Sequence, residues 1–231
     1  VNSLRTWRYQ RRLRRLQRAY YDARSRNDAV AVDYLRLLAE ARAEETRGAP
    51  RLRCLHVGSG GHAIDGWIDL DLDPAPPVDV AANAGAALPF RTESIDRIHS
   101  EDFIEHVEAA AGKRFVGEAF RVLRRGGIMR LLTPDLRALI ERVYLQRERR
   151  HLRWCGVYLD ADGACEALNM HLRMNGEHRF VYDEEHLRSV LTDAGFEVRR
   201  VRYNHSPDRH LRFLDLRDFG LNLFLECVKP S

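Results

Sequence analysis

Long apolar runs are missing from this sequence of 231 residues. None approaches the ~20 residues that a membrane-spanning helix needs, so no such helix is expected. Cysteine is scarce as well. The four present, Cys54, Cys155, Cys165 and Cys227, show no C-x-x-C spacing, and Cys54 and Cys227 lie in apolar runs that read as buried strands. A disulfide-stapled framework is therefore not expected, and a reduced, cytoplasmic protein is. The opening residues, Val1 to Trp7, lack the apolar core of a secretory signal. Internal repeats are absent, and the one biased tract is an arginine-rich arm at the start. Hydrophobic residues at 45% and charged residues at 31% exclude wholesale disorder.

The charge that is present is unevenly placed. Residues 1–27 hold nine arginines against one aspartate, a balance of +8 in a chain whose total is +4. The remaining residues therefore sum to −4. The basic character belongs to the arm, so a high isoelectric point does not mark the whole protein as nucleic-acid binding.

Two helices are predicted before residue 50. Over residues 4–24 an apolar stripe of Tyr9, Leu13, Leu16 and Tyr20 recurs at helical spacing. A second helix, capped by Asn27, places Val30, Tyr34, Leu37 and Ala41 on one face and stops before Gly48-Ala49-Pro50. This segment, residues 1–50, reads as a basic helical arm or lid. Its alternative roles are a dimer element joining two copies, an RNA-contacting arm or a membrane-surface segment.

From residue 51 the texture changes to strands alternating with helices. Strands are predicted at Leu52–Val57, Trp67–Leu72, Val78–Ala82, Ile95–Ser100, Ile128–Leu132, Phe196–Tyr203 and Leu221–Val228. Helical patterns fill 102–124 and 184–194, the second with Asp183 as N-cap and Gly195 as C-cap. Such alternation predicts an α/β fold, a mostly parallel sheet with helices on both faces.

The first strand runs into Gly58-Ser59-Gly60-Gly61. Gly58, Gly60 and Ala63 formally satisfy G-x-G-x-x-A, the dinucleotide fingerprint. Only six residues, 61–66, then separate Gly60 from Trp67, where a regular crossover takes about ten or more. Without a full helix there is little dipole to hold a pyrophosphate, which disfavours a nicotinamide enzyme. The turn instead suits a phosphate-free ligand bonded to exposed backbone amides. An acid at the end of the second strand would then accept from a ribose diol. Asp69, Asp71 and Asp73 alternate onto one face, and Asp71 is the best placed.

Taken in order, these motifs resemble the class I S-adenosylmethionine-dependent methyltransferases, specifically the small type-11-like group, from about Leu52 to Val228. Leu55-His56-Val57-Gly58-Ser59-Gly60 resembles the cofactor loop, and Gly66-Trp67-Ile68-Asp69-Leu70-Asp71 the abbreviated crossover and ribose acid. Leu88-Pro89-Phe90, Ser94-Ile95-Asp96-Arg97-Ile98, Glu105-His106-Val107 and Glu118 through Gly127 follow in the family's order, and His178-Arg179-Phe180 resembles its closing segment. Arg125 stands where the family usually has Pro, and Ile95 where it has Phe.

The resemblance implies a Rossmann-like seven-stranded sheet over residues 51–231 and S-adenosyl-L-methionine as cofactor. It implies that Gly58, Ser59 and Gly60 hold the amino-acid end of that cofactor, that Asp71 binds the ribose and that Leu72 packs on adenine. Asn83 stands near the adenine-contacting position, and Ser100 and Glu101 lie beside the methionine part. Methyl transfer from a sulfonium is an in-line displacement helped by proximity and, for a hydroxyl or protonated amine, by a base. His178 is the first candidate for base or substrate contact, His106 the second and Asp135 the third.

An insertion at about 136–182 interleaves Tyr144, Trp154, Tyr158, Met170, Met174 and Phe180 with histidine and arginine, a composition that suits a cap over a small-molecule pocket. Asn204 to Asp218 is a second candidate pocket wall. His151, Cys155, Cys165 and His171 are metal-ligating types at irregular spacing, and no metal is expected. The expected function is methyl transfer to a small-molecule acceptor, at oxygen or nitrogen. The alternatives are an RNA methyltransferase that uses the arm, recognisable by steep salt dependence, and a non-catalytic module that keeps the fold.

Overall fold

The computed structural model describes residues 28–152, 161–218 and 220–231. The predicted helix over 4–24, together with Trp154, Cys155 and Tyr158 of the insertion, lies outside them. The described residues form two compact units: residues 28–51 with Arg202–Arg217, and Leu52–Val201 with Asp218–Ser231.

The first unit is built on helix α1, Asp28–Thr46. Tyr34, Leu37 and Ala41 of the predicted stripe are buried with Leu38 and Phe213 in a small core; the side chain of Val30 and the predicted cap Asn27 lie outside the described residues. The Tyr34 hydroxyl is hydrogen-bonded to the Tyr203 hydroxyl and donates to the Leu216 carbonyl at 2.7 Å. Arg212 pairs with Glu45 at 2.8 Å. Of Asn204 to Asp218, the stretch that the sequence suggests as a pocket wall, all but Asp218 thus belong to the unit of α1.

The second unit is a seven-stranded sheet. Its strands are β1 (Cys54–Val57), β2 (Ile68–Asp71), β3 (Val80–Ala81), β4 (Ile95–Glu101), β5 (Leu123–Pro134), β6 (Glu197–Arg200) and β7 (Asn222–Val228). They lie in the order β3-β2-β1-β4-β5-β7-β6. β7 runs antiparallel to both of its neighbours, and the other pairings are parallel. Chain order reverses between β1 and β4, and in open sheets the crevice beyond the C-terminal ends at such a point receives the ligand.

The main core fills one side of the sheet. Leu55, Val57, Ile98, Met129, Leu131, Leu225 and Cys227 pack with Phe115, Val116 and Ala119 of helix α2 (Ala109–Val122). Leu187 and Leu191 of a later helix, Glu184–Asp193, join them. That later helix begins as predicted, with the Asp183 carboxylate accepting from the His186 amide at 2.8 Å. Each fully buried Leu or Phe here contributes about 1.5–3 kcal/mol.

Alternation puts a different set on the opposite side. In register, Asp69 lies beside His56, His56 beside His99, His99 beside Arg130, Arg130 beside Glu226 and Glu226 beside Arg199. This polar row crosses six strands, and all but Arg199 are buried. Charges at such depth persist only when paired. His56 Nδ1 meets Asp69 at 2.8 Å, Arg130 donates to Glu226 at 3.0 Å, and Arg199 donates to the other Glu226 oxygen at 2.6 Å.

The insertion leaves β5 through a helical turn, Leu136–Ala138, which continues as a π-helix over Leu139–Leu145. Helix α3, Ala164–Arg173, follows. Leu139, Val143, Ala161, Ala167 and Leu221 make its own small core, with Met170 and Met174 packed against it. Phe180 packs against the main core instead, and Tyr144 is exposed.

Candidate active site

The glycine turn is irregular, as its length requires. Gly58, Gly60 and Gly61 all have positive φ, and no helix connects β1 to β2. At Gly58 the backbone is at φ +72°, and a Cβ would stand 2.9 Å from Cβ of Phe103. The position therefore excludes a side chain twice, by conformation and by space. The same contact ties the turn to the segment that follows β4.

Asp71 ends β2 and its Oδ2 accepts from the Gly60 amide at 2.8 Å, so the acid and the turn hold each other. Leu72, the next residue, is 70% exposed, unusual for a leucine at a strand end. Asn83 is exposed, and its Oδ1 accepts from the Gly85 amide at 3.0 Å. Ser100 stands opposite Val57 in register, and Ser59 follows Val57 by two residues, just beyond the end of β1. Both serine hydroxyls are buried without a hydrogen-bond partner. Leaving a buried hydroxyl unbonded is costly, so these two near the C-terminal ends of β1 and β4 are groups that a polar ligand would satisfy. Glu101 is also buried, with Oε2 3.6 Å from His99 Nε2.

Beyond β4 the chain makes a 3-10 turn, Ile104–His106. Here the fold joins two distant stretches. The Glu105 carbonyl accepts from the amides of Arg179, at 2.7 Å, and Phe180, at 3.2 Å, which brings His178 beside His106. Their rings meet edge to face, with centroids 4.8 Å apart. His178 Nδ1 lies 2.6 Å from the His171 carbonyl. A carbonyl can only accept, so Nδ1 carries the proton and Nε2 a lone pair. Burial pushes the His178 pKa down, and the neighbouring His106 lowers it further.

Glu105 is fully buried, and its Oε2 accepts from Thr133 Oγ1 at 3.0 Å. The sequence reading quoted this glutamate within its motif but gave it no role, because its nearness to His178 depends on a contact across more than seventy residues. Tyr182 is buried nearby with its hydroxyl unpartnered. Burial first, and then the Glu105 charge, pushes its pKa up to about 12.

The polar contacts of Asp135, the third candidate base, are to other residues. Its Oδ1 accepts from the amides of Arg137 and Ala138 at 3.0 and 3.3 Å, capping the turn that leaves β5. Burial raises its pKa, opposed by those bonds and by Arg200.

The family model described as a methyltransferase domain, of the type-11 family, matches residues 68–131. Over that stretch the chain is similar to a methyltransferase domain. The matched stretch runs from β2 into β5 and so includes Asp71, Ser100 and Glu105. The seven-stranded fold agrees with solved structures. The YcgJ protein of Bacillus subtilis superposes with a TM-score of 0.50 at 13% identity, over 83% of this chain and 99% of that one. A protein from Listeria monocytogenes assigned to the S-adenosylmethionine-dependent methyltransferases gives 0.50 at 11% identity, over 84% of this chain and 100% of that one. No curated protein matches the sequence. Among the described residues no helix is long and apolar enough to cross a membrane.

Proposed function

We propose that this chain is an S-adenosylmethionine-dependent methyltransferase that acts on a small-molecule acceptor, at oxygen or nitrogen, in the crevice beyond β1 and β4. The chain's own groups divide the work. Gly58, Ser59 and Gly60 receive the amino-acid end of the cofactor through backbone amides and the Ser59 hydroxyl. Asp71 takes the ribose diol, Leu72 lies against adenine and Asn83 bonds the adenine edge. Ser100 and Glu101 flank the methionine part. The two partnerless hydroxyls of Ser59 and Ser100 and the exposed Leu72 side chain favour this assignment.

One observation carries the reading. Phe103 packs on Gly58, so the short segment from Phe103 to His106 connects the cofactor turn to the paired imidazoles. An acceptor held by His106 and His178 would lie in front of the sulfonium methyl, and His178 Nε2 has the lone pair to take its proton. Proximity and orientation are worth roughly 7–11 kcal/mol in such a displacement, and a positioned base about 10²–10⁴-fold more.

Isothermal titration of the purified protein with S-adenosylmethionine tests the reading. Saturable binding at one site is expected, followed by release of S-adenosylhomocysteine when a hydroxyl- and amine-bearing acceptor library is added. Absence of cofactor binding would overturn it.

A further inference from the structure

We infer that Glu105, His106 and His178 form a binding site for a first-row divalent cation, zinc or a close relative, whose open positions receive a hydroxyl of the acceptor. One ligating atom from each residue lies within 4.8 Å of the other two. Around a tetrahedral ion with bonds of about 2.0–2.2 Å the donors stand about 3.4 Å apart, so closure asks for side-chain shifts of about an ångström. Two imidazole nitrogens and one carboxylate oxygen suit a borderline cation and leave a position open, as catalytic sites do.

The surroundings are those of a prepared ligand set. His178 donates its far nitrogen to a backbone carbonyl, which fixes the tautomer and aims Nε2 away from that carbonyl. Thr133 holds Glu105 by one oxygen. Glu105 and His178 are both buried, so an ion here would sit out of bulk water. The group also stands at the C-terminal edge of the sheet, three residues beyond the Phe103 that packs on the cofactor turn at its furthest member on that segment.

The inference rests on the methyl-transfer reading above and changes one step of it. The ion, in place of His178, lowers the pKa of the acceptor hydroxyl, whose proton passes to solvent as the oxygen binds. An oxygen lone pair then forms the new C–O bond while the C–S bond of the sulfonium breaks. The electron pair of that bond stays on sulfur, leaving a neutral thioether. The substrate class narrows accordingly. A metal-bound amine has its single lone pair engaged, whereas a metal-bound alkoxide or phenolate keeps lone pairs for attack, so the acceptor is a hydroxyl compound.

The test uses the full chain stripped with a chelator and then titrated with cobalt(II), followed by the visible d–d bands of the ion, and with zinc by calorimetry. One ion per chain is expected, with affinity reduced at least tenfold in H106A and in H178A and unchanged in H210A. E105Q should behave like the histidine variants; if it does not fold, H106A, half-exposed at the altered position, still decides. No uptake, or uptake indifferent to both histidine substitutions, would overturn the site. Titrating the stripped protein with S-adenosylmethionine separates the two readings: cofactor binding without ion uptake sinks the ion alone, and loss of cofactor binding sinks methyl transfer itself.

Discussion

Asp71 and Gly60 are bound to each other, the carboxylate accepting from the amide at 2.8 Å. The acid therefore holds the turn in its irregular path, and under the proposed function it would also offer its remaining acceptor capacity to a ribose. Removing it should loosen the turn as well as delete a contact. Asp71→Ala is expected to weaken S-adenosylmethionine binding at least tenfold by calorimetry, and Asp71→Asn, which keeps one acceptor oxygen, by less. Equal affinity in all three proteins would show that Asp71 lies outside the cofactor site.

Gly58 allows a second substitution that acts without touching charge. Its φ of +72° and the 2.9 Å approach of Phe103 make alanine unwelcome, at a conformational cost of roughly 1–2 kcal/mol before any clash. Gly58→Ala should lower the melting temperature and weaken cofactor binding together. Pairing it with Phe103→Ala should recover part of the stability, because the steric component then disappears, and thermal denaturation of the double variant measures that part.

Glu226 supports the buried row on the other side of the sheet, with Arg130 on one oxygen and Arg199 on the other. Arg130 and Glu226 are both fully buried. Glu226→Ala leaves the Arg130 guanidinium without this partner in a place water reaches poorly, and about 3–5 kcal/mol of destabilisation is expected. Urea denaturation reads the change directly. A loss within about 0.5 kcal/mol would mean that the charge is relieved by another partner.

Acidification should act through histidines that are buried neutral. His56 is lowered from 6.5 chiefly by burial, against the opposing pull of Asp69. His151 is lowered to about 4, again chiefly by burial and then by Arg150. Between 6.5 and about 4 the unfolded chain binds protons that the folded one refuses, so stability falls as pH drops through that window. Below 4.5 the loss continues at Glu118, whose carboxyl is held low mainly by its hydrogen bond from Arg121. Melting temperature should be flat near neutrality and decline below about pH 6.5, by roughly 2–4 °C per kcal/mol lost. His56→Gln should flatten the first part of that decline.

How much of this was legible beforehand depends on the distance over which each feature is specified. The helix capped by Asp183, the buried stripe on α1 and the strands of the sheet follow from nearest-neighbour chemistry, and all appear where the residues placed them to within a few positions. The glycine turn with its shortened crossover also declared itself, since six residues cannot make a regular helical connection. The buried polar row did not. Alternation marks His56, Asp69, His99, Arg130 and Glu226 as facing one way, but which of them meet is a matter of strand order and register.

The sequence by itself determined an α/β domain with a shortened glycine turn and an acid at the end of the strand that follows it, because periodicity, caps and chain length act locally. The tertiary structure alone decided that His178 reaches Glu105 and His106, since that meeting depends on two amide hydrogen bonds between segments more than seventy residues apart. It likewise decided that Arg202–Arg217 belongs with α1, because packing joins apolar faces without regard to their order along the chain.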